Sequence, residues 1–107
     1  MIVKTEPTFI CEIFIAGEMA DIERECANYC MEGLCVSIEP VKYIYTGGRE
    51  TGAVVRLLNY PRFPATPTAI RARATILAKR LMKVCFQTSA MIVDRERTEW
   101  LTTRQDQ

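Results

Sequence analysis

The sequence predicts an α+β fold of order β-α-β-β-α-β, and three observations predict it. Two stretches with apolar residues at helical spacing, Glu18–Glu32 and Pro67–Cys85, separate runs rich in β-branched and aromatic residues. A glycine-rich turn at Thr46–Gly52 reverses the chain between two such runs. A short apolar run, Ser89–Val93, follows the second helix.

Each element has its own justification. Phe9–Ala16 is the first strand, with Phe9, Cys11, Ile13 and Ile15 on the core face because strand side chains alternate. Its other face carries Ile10, Glu12 and Phe14, more apolar than a solvated face needs. In the first helix Met19, Ile22, Cys26, Tyr29 and Cys30 form the buried stripe, and Gly33 is the stop. Leu34–Tyr45 is the second strand, with Val36 and Ile38 inward and Pro40 marking an edge or a bulge. Ala53–Tyr60 is the third. Thr66-Pro67 starts the second helix with a capping hydroxyl and a proline at its first position, and Ile70, Ala74, Leu77, Leu81 and Val84 form its stripe. After Ser89–Val93, Asp94–Arg97 reads as a turn and Thr98–Thr102 as a short strand folding back. This is the ferredoxin-like arrangement, an antiparallel sheet with two helices on one face.

The 107 residues suit a single domain over 1–107, with 1–8 and 103–107 expected to be flexible. Fourteen Lys and Arg against thirteen Asp and Glu leave a net charge of +1, so no global field drives the chain to nucleic acid or membrane. The absence of histidine removes the commonest general base and imidazole ligand. Five cysteines, an odd count among apolar neighbours, fit a reduced, cytoplasmic protein with buried thiols. Cys26, Cys30 and Cys35 match no zinc or iron–sulfur spacing. No metal, cofactor or membrane span is expected.

Several surfaces are candidates for function. Gly47, Gly48 and Gly52 around Arg49 could cup an anion, but a phosphate loop runs from strand to helix and this one joins strands. The second helix carries Arg71, Arg73, Lys79, Arg80 and Lys83 with no acid between Thr66 and Cys85. Arg73, Arg80 and Lys83 are therefore the residues for a nucleic-acid alternative. Glu12 and Glu39 are carboxylates with nothing to align them, so no enzyme activity and no catalytic residue is expected. Tyr60-Pro61-Arg62-Phe63-Pro64 sets aromatic residues and arginine on a stiff connector, the composition of interface anchors. Tyr60, Arg62 and Phe63, with Arg49 and Glu50 at the hairpin tip, form the expected partner-binding set.

The runs Tyr43–Gly52, Leu57–Pro64 and Ile10–Gly17 resemble small accessory proteins of tailed phages and prophages. The resemblance implies a setting and carries no activity: such proteins bind a host or phage protein, including defence machinery such as CRISPR effectors. The resulting expectation is a non-catalytic, anti-CRISPR-like inhibitor of a host macromolecular complex, in the host cytoplasm, homodimeric through its open sheet face or edge. A nucleic-acid-binding module and a small-nucleotide binder or sponge are the alternatives.

Overall fold

The computed structural model describes residues 1–31 and 33–105. Strands β1 (Ile10–Ala16), β2 (Val36–Tyr45), β3 (Gly48–Leu58), β4 (Ser89–Val93) and β5 (Thr98–Thr102) form one sheet in the order β2-β3-β1-β4-β5. Every pairing is antiparallel. Helices α1 (Met19–Tyr29) and α2 (Pro67–Val84) complete an α+β, ferredoxin-like fold. In each split β-α-β unit the intervening strand pairs between the two it separates, and β5 extends the sheet as a hairpin from β4.

The helix-covered face is the core. Phe9, Cys11, Ile13 and Ile15 from β1 and its approach meet Ala53, Val55 and Leu57 from β3, as period-two alternation requires. Ile22 and Cys26 of α1 and Ile70, Ala74, Leu77, Ala78 and Leu81 of α2 close over them. Thr66 caps α2, its hydroxyl accepting from the Ala69 amide at 3.1 Å. The helices also attract by charge. Arg80 of α2 reaches Glu25 of α1 at 2.5 Å and lies over the Tyr29 ring at 5.0 Å.

Boundaries moved where pairing outweighed composition. β3 begins at Gly48 and not at Ala53, because Tyr45 pairs directly with Gly48. The seven-residue turn expected over Thr46–Gly52 is a two-residue loop, Thr46-Gly47, with Gly47 at φ +85°. β2 runs unbroken through Pro40, which it tolerates as the edge strand. α1 ends at Tyr29 with Cys30 as its cap, short of the expected end at Glu32, which lies outside the described residues. No helix among the described residues is long and apolar enough to cross a membrane.

The α2–β4 side is held by charge. Arg71 donates to Asp94 at 2.7 and 3.2 Å and approaches Glu96 at 3.2 Å. Arg71 and Arg95 also lie over the buried Phe9 ring, at 5.1 and 5.5 Å. The hydrogen bond from Arg71 holds the Asp94 carboxyl at about 2, below its ordinary value of 3.8, with help from the Glu96 and Arg97 amides. The Asp94 side chain is only 3% exposed, so solvent screens the pair weakly. Because the folded value is depressed, the stabilisation is complete above the unfolded value and is lost as pH falls from about 4 through about 2. Asp94→Asn is expected to cost about 2 kcal/mol at neutral pH and to flatten that limb of the melting-temperature profile. An unchanged acid limb in the variant would refute the assignment.

Candidate functional site

The face of the sheet away from the helices carries the site. Alternation sets a row straight across it: Glu39, Val54, Phe14, Met91 and Trp100, one from each strand. No helix among the described residues covers this row. Val54 is nevertheless only 4% exposed, shielded by its cross-strand neighbours, while Trp100 is 49% exposed at the far edge.

One step along the strands, Arg56 forks between Glu12 at 2.6 Å and Glu39 at 2.8 Å. These carboxylates, candidates for acid–base work by sequence, are joined by a guanidinium that takes up their charge. The structure therefore aligns them as a clamp across β1, β3 and β2.

In the other direction the β2–β3 hairpin outruns the sheet. β1 ends at Ala16, paired with Gly52, so the pairs Tyr43–Glu50 and Tyr45–Gly48 stand beyond it. Alternation puts Tyr43, Tyr45 and Glu50 on the open face. The Tyr45 hydroxyl donates to Glu50 Oε1 at 2.8 Å, and this bond raises the Tyr45 phenol above its ordinary value. The Tyr43 hydroxyl donates back to the Ala53 carbonyl at 2.6 Å; burial, foremost, raises that phenol too.

A cleft of about 440 Å³ opens between this hairpin arm and the β4–β5 edge. Phe14, Met91 and Trp100 give it an apolar floor and side, and Tyr43, Tyr45 and Glu50 form the arm side. Gln87, Thr88 and Ser89, entering β4, supply hydrogen-bonding groups opposite. Arg104 lines the same cleft and is tied to Thr88: its Nε donates to the hydroxyl at 3.4 Å, and the Thr103 amide donates to the Thr88 carbonyl at 2.8 Å. The cleft thus has aromatic walls, a carboxylate on one rim and a guanidinium on the other. Such a site can stack a planar base, hold a cation against aromatic faces, and pair both ends of a zwitterion.

Of the residues singled out by sequence, Glu50 lines this cleft. Arg49 alternates to the opposite face of the hairpin, paired with Ile44. Tyr60, Arg62 and Phe63 lie toward the other end of the sheet, on the exposed β3–α2 connector. There Tyr60 and Phe63 stack edge to face at 5.9 Å and Arg62 lies 5.4 Å from the Phe63 ring centre. Of the basic residues on α2, Lys83 is exposed, Arg80 is engaged by Glu25, and the Arg73 carbonyl accepts from Tyr29 at 3.1 Å. Sequence reasoning missed Tyr43, Tyr45, Phe14, Trp100 and Arg104 as one site. The readable signal was the Tyr-x-Tyr alternation feeding a turn; that β5 and the C-terminal segment would face it was not readable locally.

No protein-family model and no curated protein matches the chain. Two solved structures share its fold. A phage SAM lyase in its apo state superposes with a TM-score of 0.72 at 15% identity, over 92% of each chain. A phage SAM lyase in complex with S-methyl-5'-thioadenosine superposes with a TM-score of 0.64 at 13% identity, over 100% of this chain and 98% of that one. Both are phage proteins, in line with the resemblance carried by the hairpin sequence. Two expectations are corrected by these neighbours: that the protein is non-catalytic, and that it acts as an inhibitor of a host complex. The structures sharing the fold are enzymes for a small molecule, and a nucleoside thioether occupies one of them. The physical error was to equate a missing histidine with missing chemistry. The Tyr45–Glu50 hydrogen bond beside an aromatic cleft is a polar arrangement that needs no histidine.

Proposed function

We propose that this protein binds S-adenosylmethionine in the cleft between the hairpin arm and β5, and cleaves it as a lyase to S-methyl-5'-thioadenosine. The observation that carries the reading is the cleft itself, with Tyr45–Glu50 on one rim, Arg104 on the other and aromatic walls between. The ligand has matching parts: a planar base, a sulfonium, an ammonium and a carboxylate. The fold shared with phage SAM lyases supports the same substrate class.

The reaction needs little from the protein. Breaking the bond from sulfur to the γ-carbon returns its electron pair to sulfur, which leaves as a neutral thioether. The amino-acid fragment balances the step in one of two ways: its own carboxylate closes on the γ-carbon to give a lactone, or a β-proton passes to water as the β–γ double bond forms. Neither route requires a histidine. In either, charge is annihilated or dispersed, so apolar walls that strip water from the reacting groups favour the reaction. Glu50 pairs with the ligand ammonium, Tyr45 is held by Glu50 to orient it, and Phe14 and Trp100 take the base and sulfonium. A second copy over the open face, the expected homodimer, would roof the cleft and belongs to this reading, as does action on the methyl-donor pool of the host cytoplasm.

The test is incubation of the purified chain with S-adenosylmethionine, followed by chromatography. The expected result is S-methyl-5'-thioadenosine formed in step with substrate loss, together with a melting temperature raised by that product. Intact substrate and an unmoved melting temperature would overturn the proposal.

A further inference from the structure

The cysteines hold a feature that the cleft does not use. Cys30 follows α1 as its cap and is part-buried; Cys35 is exposed, one residue before β2. Both line one shallow cleft with Cys26, Leu34 and Val36, on the helix side of the β2 edge. The two are near enough for the charge of Cys35 to act on the Cys30 thiol, after burial the next cause of its raised pKa. Four residues separate them in the sequence, and Gly33 among these sits at φ +66°, in the left-handed region. Nearby thiols are poor competitors. Cys26 is buried and pushed up to about 12, first by desolvation and then by Cys30, and Cys85 is buried and raised as well.

We propose that Cys30 and Cys35 form a reversible intrachain disulfide, a modification site for low-molecular-weight disulfides of the glutathione class at the α1–β2 junction. The exposed Cys35 is the first to react. Its thiolate attacks one sulfur of glutathione disulfide, the S–S bond breaks, and one glutathione leaves as a thiolate that takes up a proton. Cys30 loses its proton to solvent and attacks the Cys35 sulfur of the mixed disulfide, expelling the second glutathione. Two electrons pass from the protein thiols to the oxidant, and both glutathiones end as thiols. Burial, foremost, and the neighbouring Cys35 raise the Cys30 thiol, which leaves the first attack to Cys35; Cys30 reacts only once the mixed disulfide holds its target close by. The product ties the end of α1 to the start of the edge strand, and a short-loop bridge in a reducing compartment is of the transient, sensing kind.

The experiment is oxidation of the folded chain with glutathione disulfide, alkylation of remaining thiols, and peptide mapping without reduction. The expected product is a Cys30–Cys35 cross-link, removed by dithiothreitol, with Cys11, Cys26 and Cys85 alkylated only after unfolding. Cys30→Ser should stop at one glutathione on Cys35, and Cys35→Ser should leave Cys30 unoxidised. A wild-type chain that stops at the mixed disulfide on Cys35, pairs Cys30 elsewhere, or does not react overturns the proposal. These outcomes are independent of whether S-adenosylmethionine is cleaved.

Discussion

Glu50→Gln is expected to lower kcat/KM for S-adenosylmethionine by about 100-fold or more, the range seen when a single charged positioning group is lost from an active site. The substitution keeps the shape and still allows Tyr45 to donate to the side-chain carbonyl, so it removes charge and little else. The bond it alters lies on an exposed arm, where solvent screens such pairs and they add little to stability, so the melting temperature should barely move. The division of the loss between the two constants is informative. A rise in KM with kcat intact would assign Glu50 to holding the ammonium in ground state and transition state alike. A fall in kcat would mean that the carboxylate fixes the reacting arm of the ligand. Tyr45→Phe removes the hydroxyl but keeps the aromatic wall, and is expected to cost about tenfold, one hydrogen bond's worth of orientation. Wild-type rates in Glu50→Gln would remove the rim pair from the mechanism and leave the apolar walls as the agent.

The order of elements was legible because it is local. Alternation in Phe9–Ala16 placed Cys11, Ile13 and Ile15 in the core, where they are, and Thr66-Pro67 marked the start of α2 within a residue. What failed had non-local causes. Glycine favours turns in isolation, so Gly47, Gly48 and Gly52 read as one long turn. In the fold only Gly47 serves the tight loop, while Gly48 and Gly52 are strand residues opposite Tyr45 and Val41. The cleft draws on β1, the hairpin, the entry to β4, β5 and the segment after it. No window of sequence contains those parts together. Glu50 was grouped by sequence with companions taken to be Arg49 and the Tyr60–Phe63 connector. In the structure they are Tyr45 across the turn and Trp100 across the sheet. The half-apolar outer face was visible in Ile10, Glu12 and Phe14, but a composition cannot distinguish a flat patch from a cleft, and of the three only Phe14 lines the cleft.

Gly52 is where the fold and the site meet, and Gly52→Ala should show it. Gly52 pairs with Ala16 at the last rung of β1 and with Val41 on β2, at the point where the hairpin leaves the sheet. A methyl group there would overlap the Ile15 carbonyl oxygen outright and come within 2.7 Å of the Ala16 Cα and 2.8 Å of the Tyr43 ring. Two of the three obstacles are backbone of a central strand and cannot rotate aside. Relief requires β1 and β3 to separate locally, or the Tyr43 ring to swing out and give up its hydrogen bond to the Ala53 carbonyl. Overpacking of this kind costs about 3 kcal/mol, and a chain of this length should melt more than about 10 °C lower. The same displacement tilts the arm that carries Tyr45 and Glu50, so the folded fraction should also bind S-methyl-5'-thioadenosine more weakly, read by calorimetry well below the melting transition. A Tyr43→Ala/Gly52→Ala double variant separates the two causes. Removing the ring relieves one contact and leaves the backbone overlap, so most of the stability loss should persist. Full recovery of stability in the double variant would mean that the ring, and not the β1 backbone, is what requires glycine at this position.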